Sequence, residues 1–486
     1  MAEPYFSQAA YFADLMELVS LRLGLLQLDG ESQLQQRQQI AHWEQRMAER
    51  TDATYESGSA VNLPYLFQIF HLTPFERHCV SMALAAELNQ DAEQQFISLQ
   101  PDGCRHPSLS LCLCSFAADE EEYIRLLGEW HLRKDILFCF FREGIQVPAG
   151  QSDLTVGPKL HRRIVSFALD HLSGDPELEF SARLHWAGEG IPPLVIHREM
   201  LVRMERCYAV RPEGAHLCFY LQGEAGSGRQ TLARHFCQNR GRPLLTADLS
   251  VLLKENASWE QALLPVFREA ALRQAALAFT GFERLLGGEE ELPSGEEAPV
   301  LREWEPKASH IRLLLERAAR FTDILFLFSR EEWPPQLSPA PWVRTEYLLE
   351  QPDASERLLL WDHYLKDLPL SPEISLEALA AKFAMQPGQI AAAANEAAGL
   401  LRWEGRETLD DDLLHQACRA QLSHSLGKKA TLVKAKYTWE DLILPPEQKN
   451  RLKEACDQVA YQRRVYEQWG FGGKVAYGRG VSTLFN

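Results

Sequence analysis

The chain is 486 residues long, with 46% hydrophobic and 24% charged residues, enough for about two to four domains with cores of their own. Its 50 Lys and Arg stand against 67 Asp and Glu, and the net charge of −17 argues against nonspecific nucleic-acid binding, which needs a cationic face. No long charge-free apolar run marks a membrane span, the start lacks the basic region and cleavage site of a signal peptide, and the ten cysteines show no paired metal spacing; these features predict reduced thiols in a cytoplasmic protein.

Residues 1–190 read as a mainly helical domain. "YFADLMELVSLRLGLLQLDG" has apolar residues at helical spacing and a stop at Gly30. "ESQLQQRQQIAHWEQRMAERT" is a polar helix with Leu34, Ile40, Trp43 and Met47 as its inner stripe. "LTPFERHCVSMALAAEL" opens with start signals: Thr73 as N-cap, Pro74 at the first helical position, and Glu76 closing a capping box. Between 104 and 170, short helices alternate with candidate strands in "ILFCFF" and "LTVGPKL", a mix that suits a winged-helix part.

Residues 196–350 change character. "HLCFYLQ", "PLLTADLS", "AALAFTGF", "DILFLFS" and "VRTEYLLE" read as strands, and the helices "TLARHFCQNRG", "SWEQALLPVFREAALRQ" and "HIRLLLERAARF" alternate with them. That alternation predicts an α/β/α core around a parallel sheet. Between the first strand and its helix lies "GEAGSGRQT", close to the phosphate-cradling pattern G-x-x-x-x-G-K-[ST]. Gly223, Glu224, Ala225, Gly226, Ser227, Gly228, Arg229, Gln230 and Thr231 are therefore the candidate ATP or ADP contacts. Arg229 stands where the Lys belongs, and its planar fork is a poor substitute for a point charge. Gln230 replaces the magnesium-binding hydroxyl, and Thr231, one residue late, is turned about 100° away on a helix.

From Ser355 to Gln421 the pattern becomes wholly helical, in "ASERLLLWDHYL", "SLEALAAKFAM", "PGQIAAAANEAAGLLRWEG" and "LDDDLLHQACRAQL". With "EYLLEQPDASERLLLWDHYL" at the junction and "LAAKFAMQPGQIAAAANEA" as a helix pair, residues 196–425 resemble an AAA+ module, a P-loop core at 196–350 followed by a four-helix lid at 351–425. The resemblance implies a Walker B Asp-Glu pair at the end of the third strand, where this chain has Thr280 and Gly281, with Glu283 two residues further on as a helix-start residue. It places the sensor 1 polar residue at Ser329 and leaves Arg330 and Arg344 as arginine-finger candidates. Both magnesium-handling motifs have thus lost their acids or hydroxyl, so the module is expected to be degenerate, with doubtful magnesium binding, weak nucleotide binding and no hydrolysis.

Residues 430–486 repeat the opening of the module. "YTWEDLILPPEQKNRLKEACDQVAYQRRVYEQWGF" reads as a linker and long helix and "GVSTLFN" as a short strand, so Asn486 corresponds to Gln222 and a second P-loop would begin next. The whole is similar to the N-terminal half of tandem AAA+ ATPases encoded with bacterial phage-tail-like contractile injection systems. That resemblance implies a cytoplasmic ring, a hexamer when complete, acting on protein clients. The alternative is a self-contained nucleotide-sensing regulator whose winged helix meets DNA through His161, Arg162 and Arg163. Two lesser features take plain readings: Glu289–Glu291 with Glu296–Glu297 as a solvated acidic loop, and Cys104, His106, Cys112 and Cys114 as no common zinc spacing. The overall fold expected is mixed α and α/β.

Overall fold

The computed structural model describes residues 3–100, 103–143, 154–155, 157–171, 174–254, 259–287, 307–426 and 438–463. They belong to two compact units, Met1–Cys418 and Arg419–Asn486. The acidic loop at 289–297 and the strand expected at 481–485 lie outside the described residues.

The first unit begins with helices α1 (Gln8–Gly24), α2 (Gly30–Glu56), α3 (Asn62–Ile69), α4 (Pro74–Leu88), α5 (Gln90–Leu99), α6 (Leu109–Phe116), α7 (Glu120–Leu132) and α8 (Lys134–Phe140). The capping box expected at Thr73 and Glu76 is present, with Pro74 at the helix start. Glu76 also accepts from Arg133 at 2.6 Å, so one cap joins α4 to the end of α7. Three expectations are corrected. The stop at Gly30 comes earlier: α1 ends at Gly24, and Gly30, at φ +53°, opens α2 instead. Leu34 is 59% exposed, because the start of α2 meets α1 through Gln33 and Gln36, whose amides donate to the Leu25 and Leu21 carbonyls. "ILFCFF" is mostly helix α8, with only Phe141 entering a strand. A short apolar run reads the same in a buried helix as in a strand, and Leu137, Cys139 and Phe140 are fully buried.

Strand β1 (Phe141–Glu143) pairs antiparallel with β2 (Lys159–Leu160), and α9 (Arg162–Ala168) follows with His161 as its N-cap. The second layer system is a six-stranded sheet of β3 (Ala182–His185), β4 (Leu217–Gln222), β5 (Leu244–Asp248), β6 (Ala276–Thr280), β7 (Ile324–Ser329) and β8 (Val343–Leu348). Its order is β3-β5-β6-β7-β4-β8, all neighbours parallel except β3. The sheet is therefore mixed, with an antiparallel edge strand that the sequence reading left inside 1–190. Strand β4 is interior, between β7 and the edge strand β8, both later in the chain.

Helices α10 (Arg198–Ala209) and α11 (Arg229–Gln238) cover one face. The short α12 (Leu249–Leu252) precedes α13 (Trp259–Arg273), which with α14 (Glu283–Leu286) and α15 (Ala308–Ala318) covers the other. Alternation along β4 serves both: Cys218 and Tyr220 enter one core, Leu217, Phe219 and Leu221 the other. The chain continues as α16 (Ala354–Leu365), α17 (Leu376–Lys382), α18 (Pro387–Glu404) and α19 (Asp411–Leu426), matching the four helical segments expected. The second unit contains α20 (Pro446–Arg463), preceded by a turn in which the Thr438 backbone and hydroxyl both donate to Asp441.

Helix α13 is buried on both sides. Leu263, Val266, Phe267 and Ala270 belong to the sheet's core, while Ala271 and Leu272 belong to the core of the N-terminal helices. Its polar residues are locked to α9 and the segment that follows it. Arg163 of α9 grips Glu269 with two hydrogen bonds, 2.7 and 3.0 Å, and Glu269 also accepts from Arg273 at 3.1 Å. Arg268 donates to Asp175 and, at 2.9 Å, to Glu177. Arg163, Glu269 and Arg268 are each 2% exposed. Removing one member of such a pair strands a buried charge.

Glu269→Ala is expected to lower unfolding free energy by about 3–5 kcal/mol; Arg162→Ala, an exposed neighbour, should change it by less than about 0.5. Denaturant titration of the full chain measures both. Glu177 gives a pH-dependent counterpart: a hydrogen bond from His161, aided by Arg268, holds its carboxyl at about 2. A depressed folded value stabilises above the ordinary 4.5 and is lost as pH falls through about 2. Thermal melts of the wild type and Glu177→Gln should therefore differ at neutral pH and converge between pH 4.5 and 2.

Candidate functional site

Parallel strands end at a common edge, and the crevice outside that edge is where α/β folds present loops. Gln222 ends β4 opposite Ser329 of β7, and Asp248 ends β5 opposite Thr280 of β6. The glycine turn leaves β4 at this edge. The Gly223 amide donates to the Ser329 carbonyl at 3.0 Å, and the Phe282 amide donates to the Phe328 carbonyl at 3.1 Å. The loop of 223–231, Thr280, Gly281 and Ser329 are thus brought to one edge of one sheet.

The loop keeps the shape its glycines predict. Gly223, Gly226 and Gly228 have φ of +154°, +84° and +99°, and α11 starts at Arg229. Side chains would not fit at Gly223, where a Cβ would stand 2.9 Å from both the Leu349 carbonyl oxygen and Ser227 Oγ. Ser227 is 1% exposed, and its hydroxyl is buried without a hydrogen-bond partner. Backbone amides at a helix start and an unpartnered hydroxyl form an arrangement that fits an anion.

The side chains around it are otherwise committed. Arg229 donates from Nη1 to the Ser329 carbonyl at 2.6 Å, folding back over the sheet edge. Burial lowers its pKa, and the nearby Glu283 carboxylate opposes that shift. Glu283 begins α14, as a helix-start residue should, yet its Oε2 is buried without a partner. Gln230 lies 3.2 Å from His185 Nε2 on the antiparallel strand β3. Thr231 is half-buried on α11. Thr280 Oγ1 reaches the Ala247 carbonyl at 3.5 Å, while Asp248 caps α12 through the Ser250 amide at 2.8 Å. Ser329 Oγ accepts from the Glu331 amide at 3.0 Å, so its side chain serves its own turn and its carbonyl serves the loop. Glu224 and Ala225 are exposed at the crest, where Glu224 pairs with Arg330 at 3.7 Å. Arg344 is paired with Glu346 on the edge strand β8.

These commitments do not fit a magnesium ion: the amide at 230 and the hydroxyl at 280 are poor or engaged ligands, and no group of three His, Cys, Asp or Glu side chains that could hold a metal occurs among the described residues. Cys104, His106, Cys112 and Cys114 fall under the same statement; Cys112 is fully buried while Cys104 and Cys114 are exposed.

Two contributors were missed in the sequence. His197, at φ +64°, precedes α10, and its Cδ2 lies 3.9 Å from where a Cβ on Gly228 would stand. Burial lowers its pKa. No local pattern announces it. His185 had a signal, the alternation of Ala182, Leu184 and Trp186 around Arg183 and His185. A separate recess of about 450 Å³ lies among α1 to α4; within it Arg22 pairs with Glu44 and His78 with Ser115.

Comparison with protein families gives two matches. Residues 25–182 match a winged helix domain, variant, and residues 353–424 match the contractile injection system ATPase helical domain. A search of curated proteins finds no match. No helix among the described residues is long and apolar enough to cross a membrane.

Arg229 anchors the loop to β7 by a charge-assisted bond. Arg229→Ala should cost about 1.5–3 kcal/mol in thermal or denaturant unfolding.

Proposed function

We propose that this chain is the regulatory and assembly half of a tandem AAA+ ATPase of a contractile injection system, which remodels or loads protein partners. In this reading, residues 196–350 are a degenerate P-loop core and 351–425 its helical lid. The observation that carries it is the match of residues 353–424 to the contractile injection system ATPase helical domain, directly after a sheet whose interior strand β4 runs into the glycine turn. Any ATP or ADP at this turn is held by backbone amides, without a metal and without turnover. Metal-assisted charge stabilisation is a large part of phosphoryl transfer, and the residues at 229, 230, 280 and 281 supply none of it. Hydrolysis then belongs to a second module, whose opening residues 430–486 resemble. Copies of the chain form a ring, a hexamer when complete, in the cytoplasm.

The DNA-binding alternative is weakened by particular contacts. Arg163 is buried against Glu269 and His161 faces Glu177 at 3.1 Å, which leaves Arg162 as the exposed cation of that trio. Helix α8, next to the two-stranded wing, presents Phe138 to Leu263, Leu264 and Phe267 of α13. A winged helix held this way presents neither segment to a duplex.

The chain is expected to show no magnesium-dependent ATP turnover above that of a Gly228→Val control; turnover abolished by that substitution would overturn the degenerate reading. Fluorescence anisotropy with duplex DNA should show no salt-dependent binding by the full chain. Strong binding that weakens steeply with salt would favour the regulator instead.

A further inference from the structure

The lid touches the glycine loop with its backbone. The Gly388 amide, in the first turn of α18, donates to the Gly226 carbonyl at 2.8 Å. The first amides of a helix have no partner within it, so the loop carbonyl satisfies one of them and faces the positive end of α18. Both contacting residues are glycine, and at Gly388 a side chain would press on the loop backbone. A Cβ there would stand 3.0 Å from Gly226 Cα and 3.2 Å from its carbonyl oxygen. Gly226 in turn holds a φ of +84°, which presents that carbonyl to the lid.

Other contacts hold the same joint. Gln386 precedes α18 and is 9% exposed, and its amide donates to Gln389 Oε1 at 2.8 Å, fixing the helix start. The Leu349 amide donates to the Gln222 carbonyl at 2.8 Å, and the Gln351 side chain donates to the Ala384 carbonyl at 3.0 Å, so the short segment from β8 into the lid is tied to both. His197, against the loop at Gly228, feels the Glu356 carboxylate of α16.

We infer that a backbone latch between Gly226 and Gly388 sets the angle between core and lid without nucleotide. A phosphate shared between a loop and a lid would make that angle depend on ligand; here the chain supplies the connection itself. The module then acts as a fixed wedge. The latch is independent of which injection-system partner the chain serves, and its test does not read ATP turnover.

Hydrogen–deuterium exchange of the full chain reads the latch. In the wild type, protection of 386–394 should be the same with and without millimolar MgATP or MgADP, whether or not a nucleotide covers the amides of 223–228. Gly388→Ala and Gly388→Val should speed exchange in 223–228 about tenfold or more, with β4 and β7 unchanged. Gly399→Val, further along α18 where an added Cβ meets nothing within 4 Å, should leave the loop as in the wild type. Gly→Ala by itself strengthens a helix, so faster exchange in the loop would not come from a weaker α18. If Gly388→Val disturbs the strands, Gly388→Ala decides, because it adds a single methyl group. Wild-type rates in the loop of Gly388→Ala would overturn the latch. So would a several-fold slowing of lid exchange when nucleotide is added to the wild type.

Discussion

Helix α13 has solvent on almost no side. It must satisfy the sheet through Leu263, Val266 and Phe267 and the helical domain through Ala271 and Leu272, while Glu269 and Arg268 hold their charges against α9 and Asp175. A helix buried all round cannot slide, because each turn is fitted to a different neighbour. The consequence is that the winged-helix part and the α/β part are one compact unit. Their relative position is set by packing, with the buried ion pairs excluding registers that would leave Glu269 or Arg268 unpaired.

That rigidity also fixes the edge of the sheet at which the glycine turn lies. The sheet edge brings 222, 280, 248 and 329 into register whatever their side chains are, since strand pairing is a backbone property. The polar groups there have acquired local partners: Arg229 on the Ser329 carbonyl, Gln230 beside His185, Ser329 on the Glu331 amide. Each partner is a neighbour that the fold already supplied. These hydrogen bonds stabilise the edge itself.

The helices after the sheet enter the same logic. Four helices matching the contractile injection system ATPase helical domain follow the sheet, and the third meets the glycine loop through backbone alone. Glycines at 226 and 388 serve two different needs. One supplies a backbone angle, the other an absence of bulk. A sequence shows both as the same letter, so the second need was invisible until the two segments were seen together.

Local physics carried the sequence a long way. The strand that precedes the glycine turn, the alternation of strands and helices over 217–348, the capping box at Thr73 and the four lid helices all follow from periodicity, capping and turn chemistry that operate within a few residues. The departures of Arg229 and Gln230 from the phosphate-cradling pattern were equally legible, because that comparison needs only identity and spacing. What the tertiary structure decided depended on partners distant in the chain. "ILFCFF" became a helix because α13 covers it, β3 joined a sheet that begins beyond it, and Arg163 was removed from solvent by a glutamate 106 positions later. The loop's carbonyl likewise found its donor in the lid. Propensity fixes what a segment can form; only packing fixes what it is pressed against, and burial and pairing are properties of that contact.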